Sequence, residues 1–91
     1  MGIDRNLLYD GFPVTEYYKD HIKDAVTIKR GGNWWSAVLL INEPKSEKNI
    51  IMFYKWQKIG DDWKLRSKYK ISDKTVAGRS IDAIKQFSEK L

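Results

Sequence analysis

From Trp63 to Ile71 the chain alternates without a break. Trp63, Leu65, Ser67, Tyr69 and Ile71 occupy one set of positions, and Lys64, Arg66, Lys68 and Lys70 the other. A period of two belongs to a β-strand, whose successive side chains point to opposite faces. The segment therefore commits the chain to a sheet, and it gives that sheet a row of four cations with no acid among them.

Turn chemistry extends the reading. Gly31-Gly32-Asn33 and Gly60-Asp61-Asp62 are strong turn signals, and Asn42 to Lys48 is a polar loop containing Pro44. They separate four strands: Asp24 to Arg30, Trp34 to Ile41, Asn49 to Ile59 and Trp63 to Ile71. After Ile71 the period changes to about 3.6. Ser72 and Asp73 are cap candidates, and Val76, Ala77, Ser80, Ile81, Ile84, Phe87 and Leu91 fall on one stripe. The expected fold is α+β: a twisted four-stranded antiparallel sheet followed by a C-terminal amphipathic helix, with the helix covering one sheet face. Residues 1–23 read as an N-terminal arm broken by Gly11-Phe12-Pro13, with a short helix from Glu16 to Lys23 capped by Thr15. Residues 24–91 read as a single domain.

Composition narrows the chemistry. At 91 residues the chain makes one small domain with a modest core. It has no cysteine, which excludes disulfides, zinc–thiolate sites and cysteine nucleophiles together, and favours an intracellular location. No apolar run is long enough for a bilayer, and Met1 to Arg5 lacks the layout of a signal peptide. His21 is the only histidine, Asp61-Asp62 is most simply a polar turn, and nothing resembles a nucleophile beside its base. The expectation is a protein without catalysis, metal or cofactor, a carboxylate-only nuclease being the one enzymatic alternative.

Charge is unevenly placed. Up to Pro44 there are 5 basic and 6 acidic residues, a balance of −1; from Lys45 onward there are 12 and 6, a balance of +6. Aromatic residues make up 13% of the chain, four of them Trp. Cations for phosphates and flat rings for bases are what a binder of single-stranded nucleic acid requires.

The face that joins the cations depends on the hairpin register. A tight Gly60-Asp61 turn pairs Gln57 with Lys64, Lys55 with Arg66 and Phe53 with Lys68. A three-residue loop pairs Trp56 with Arg66 and Tyr54 with Lys68, and the one-residue slip exchanges the faces. Gly at the first turn position favours the tight turn. Both registers place an aromatic beside the cations. Trp34 and Trp35, being adjacent on a strand, point to opposite faces, and the sequence leaves open which is which. The candidate binding set is Lys29, Trp35, Phe53, Lys55, Trp56, Lys64, Arg66 and Lys68.

From Ala25 to Leu91 the chain resembles the PC4-like single-stranded DNA-binding proteins. The resemblance rests on Ile51-Met52-Phe53-Tyr54-Lys55-Trp56, the polar stretch through Asp61-Asp62-Trp63-Lys64, a basic strand ending in Ile71-Ser72, and the helix that follows. Leu65-Arg66 stands where that family has Pro-Gly, and the basic strand is one residue longer. The resemblance implies a strongly twisted sheet, a homodimer, and binding of single-stranded DNA by the sheets, with Trp56 at the position of the stacking aromatic and Lys64, Arg66 and Lys68 in the basic strand. RNA is the other ligand the residues allow. A protein-interaction or dimerisation module without nucleic-acid binding is the alternative function.

Overall fold

A computed structural model describes residues 11–91; the first ten residues of the expected arm lie outside the described residues. A short helix α1 (Glu16–Lys19) precedes four strands, β1 (Ile22–Gly31), β2 (Trp34–Asn42), β3 (Asn49–Ile59) and β4 (Asp62–Ile71), and a helix α2 (Lys74–Ser88) ends the fold. The strands form one antiparallel sheet in the order β1-β2-β3-β4, each pairing with its neighbour in sequence. The expected α+β layout is the one observed. α1 stops four residues short of Lys23, and β1 begins within the expected arm.

The hairpin turns follow from glycine. Gly32 and Gly60 adopt φ of 58° and 64° at the first central position of two-residue loops, where side chains other than glycine are strained. A backbone hydrogen bond of 2.7 Å from Lys58 N–H to the Asn33 carbonyl ties the first turn to β3.

The core lies on one face of the sheet. Trp35, Ala37, Leu39 and Ile41 of β2 pair with Trp56, Tyr54, Met52 and Ile50 of β3, and all eight are buried. Their cover is the arm: Phe12 is buried among them, and Val14 and Tyr18 pack against the cluster. Rings dominate this packing. Tyr54 stacks on Trp56 with centroids 5.0 Å apart, Phe12 on Trp35 at 4.9 Å, and Trp35 meets Trp56 at 5.2 Å. Such pairs add about 0.5–1.5 kcal/mol each beyond burial.

The expected two-layer packing is corrected here. α2 is capped as anticipated, with the Asp73 carboxylate accepting from Thr75 and Val76 N–H, but it buries no residue. It stands beside the end of β4, and Val76, Ile81, Ile84 and Phe87 remain exposed. The core face was already taken by the arm, so the helix lies over the edge of the opposite face, where Ser80, Ala83 and Ile84 flank a cleft with Phe53, Tyr69 and Ile71. No helix among the described residues is long and apolar enough to cross a membrane.

Candidate nucleic-acid interface

The pairing sorts the face away from the core into cross-strand rows. One row runs Lys29, Ser36, Lys55, Ser67, and the next runs Gly31, Trp34, Gln57, Lys64. Toward α2 the rows become apolar: Val26, Val38, Phe53 and Tyr69, then Leu40, Ile51 and Ile71 beside Asp24. This outer face therefore has a cationic half at the hairpin turns and an apolar half at the helix.

The cationic half holds a local geometry of its own. Trp34 is 42% exposed, and Lys55 Nζ sits 4.8 Å from its ring centroid. A cleft of about 320 Å³ is lined by Lys29, Gly31, Trp34, Ser36 and Lys55. Arg66 donates from Nε to Gln57 Oε1 at 2.8 Å, which fixes the guanidinium beside Trp34's row and leaves its terminal nitrogens free to donate elsewhere. None of Lys29, Lys55, Lys64 and Arg66 forms an ion pair with a described residue; the ion pair on β4 is Lys70 to Glu43 at 3.6 Å. No acid stands in either row, and the nearest on β4 is Asp62, one row farther out. Lys29 and Lys55 are two strands apart, roughly 10 Å by sheet geometry.

The four-cation ladder is corrected. Gln57 pairs with Lys64 as the tight turn requires, but Lys55 pairs with Ser67 and Tyr54 with Lys68. One extra residue, Arg66, is accommodated as a bulge between Leu65 and Ser67, opposite Lys55 and Trp56. Each half of the hairpin thus follows a different register. Lys64 and Arg66 accompany Lys55 on the outer face, whereas Lys68 lies on the core side with Tyr54, Trp56 and Leu65 in a cleft beneath the arm. Ser67 and Tyr69 move to the outer face in exchange.

The aromatic candidates divide as well. Trp35 and Trp56 are buried at 3% and 1% exposure, so neither ring is open to a base in this arrangement. Trp34 holds the outward position, a residue absent from the candidate set. The doublet announced that one of the pair faces outward; only the register to β3 decides which. Phe53 is half-buried on the outer face, 6.5 Å from Tyr69, in the apolar half. On the core face Arg30 lies 4.0 Å from the Trp35 ring and 5.6 Å from that of Trp63, and Trp35 Nε1 donates to Thr27 Oγ1 at 3.1 Å. No cluster of metal-ligating side chains occurs among the described residues.

In comparisons with known proteins, no family model, curated protein or solved structure matches this chain.

Proposed function

We propose that the protein binds single-stranded nucleic acid, DNA in preference to RNA, without catalysis and with little sequence preference, through the cationic half of the outer face. The observation that carries this is Trp34, 42% exposed with Lys55 Nζ beside its ring, with Lys29 and Lys64 in the same two rows, Arg66 bonded to Gln57 alongside them, and no acid among them. A base stacks on the indole, and the cations take the flanking phosphates. The Arg66–Gln57 bond orients its guanidinium beforehand, which lowers the ordering cost of contact. Duplex DNA offers no free base face to Trp34, so the reading discriminates against it. The pattern likeness to the PC4-like proteins and the lack of cysteine support an intracellular protein of this kind.

The same reading includes a homodimer. α2 presents Val76, Ile81, Ile84 and Phe87 to solvent, and none of its own residues is buried. An amphipathic helix draws its stability from a covered face, and a second copy supplies that cover. The same exposed stripe is what favours the second reading, a protein-interaction module with no affinity for nucleic acid.

The deciding experiment is a tryptophan-fluorescence titration with single-stranded and duplex oligonucleotides at two salt concentrations. Four cations on phosphates give a log–log salt slope of about −3 for a single strand. Quenching, preference for the single strand and that slope are the expected outcome. Lys55→Glu with Lys64→Glu should remove binding and leave the fold intact, since both side chains are exposed. Equal binding to both ligands reduces the site to a basic surface, and no binding leaves the interaction module.

A further inference from the structure

Among the described residues before His21, the arm is held to the sheet by side chains alone. Among the described residues its backbone hydrogen bonds close within the arm: Val14 N–H to Phe12, Tyr18 and Lys19 N–H to Thr15, His21 N–H to Tyr18. The first backbone bond to the sheet comes at the His21 carbonyl, which accepts from Asn42 at 2.9 Å. Before that point the attachment is Phe12 stacked on Trp35 at 4.9 Å and 26°, with Val14 and Tyr18 against the core. Segments attached in this way open at low cost compared with hydrogen-bonded strands.

The seat beneath the arm is incompletely satisfied by it. A cleft of about 180 Å³ remains between the arm and the sheet, with Tyr54, Trp56 and Lys68 on the sheet side. The Trp56 indole N–H is fully enclosed and has no acceptor among the described residues. Buried donors nearly always find a partner, and one left alone calls for an explanation. Phenylalanine brings a ring face to this site but no acceptor. A nucleobase brings both, and Arg30, 4.0 Å from the Trp35 ring, together with Lys68, supplies charge for its phosphates.

We propose that residues 11–20 are a displaceable cover, and that Phe12 holds on Trp35 the place of a nucleobase. Single-stranded nucleic acid evicts the arm and stacks a base on Trp35. The sheet then has a second base site on the face opposite Trp34, regulated by competition with the chain's own segment. This rests on the nucleic-acid reading above and adds a site and its control to it.

The test is hydrogen–deuterium exchange of the full chain with and without oligothymidylate, alongside the affinity of Phe12→Ala. The amides of residues 11–20 should exchange faster in the complex, while those of β2 and β3 slow. Phe12→Ala should bind about five-fold tighter or more, the gain when a competent state rises from about a fifth of the population to nearly all of it. Arm amides that keep or gain protection in a complex that does form overturn the proposal and leave the outer-face reading standing. Failure of both the unaltered chain and Phe12→Ala to bind removes both. The exchange measurement uses the unaltered chain, so it decides the matter even if Phe12→Ala does not fold.

Discussion

Trp34 and Trp35 are neighbours in sequence on opposite faces of β2, and Trp56 shares the face of Trp35. Substitution should separate their roles. Stacking contributes on the order of 1–3 kcal/mol per base, so Trp34→Ala should weaken oligonucleotide binding roughly 5- to 150-fold. Its urea midpoint should hardly move, because the ring lies outside the core. Trp56→Ala empties the centre of the aromatic cluster and should cost about 3–5 kcal/mol, visible as a large fall in the same midpoint. Tyr54 gives a pH dependence. Burial, and secondarily Tyr18, push its phenol above the usual value, so the fold holds the neutral form. The contribution is whole below the unfolded-chain value of about 10, and it is lost as pH rises through the raised folded value. Tyr54→Phe should therefore flatten the alkaline limb of stability, measured as urea midpoints from about pH 8 to about pH 11.

Among the elements, the two glycine turns and the C-terminal helix offer opposite tests. A Cβ at Gly60 would meet no neighbour, so Gly60→Ala is opposed by its positive φ alone and should cost about 1 kcal/mol. Gly78 stands in α2 with open space around it, and Gly78→Ala should gain about 0.5–1 kcal/mol. Chemical denaturation measures both. The same elements show what was legible in the sequence. Turns and the change of period at Ser72 are written in residue types, because positive φ selects glycine and burial selects spacing. The bulge at Arg66 is not, since an arginine can occupy it without a distinguishing neighbour, and so the split of Lys64 and Arg66 from Lys68 stayed hidden. Nor did the stripe on α2 name its cover. Amphipathic spacing says that a face must be buried but not against what, and here Phe12 had already closed the sheet. Trp34 was half legible: the doublet fixed opposite faces and left the sides unassigned.

At the scale of the molecule, the arm covers one face of the sheet, and the helix flanks only the edge of the other. Ile84→Lys should halve the mass seen by sedimentation equilibrium if α2 joins two copies, and near-ultraviolet circular dichroism should stay unchanged because the helix buries none of its own residues. A full-mass species after this change would place the subunit contact elsewhere. The order β1-β2-β3-β4 carries a kinetic consequence. Every strand pairs with the one made just before it, so the sheet can grow hairpin by hairpin without closing a long loop. The arm is on a different schedule. It is made before the strands, yet its seat on Trp35 and Trp56 is complete only when β3 has been made. For that interval during synthesis Phe12 has only the Trp35 half of its seat, and the aromatic face stands incompletely built while the chain is still being extended.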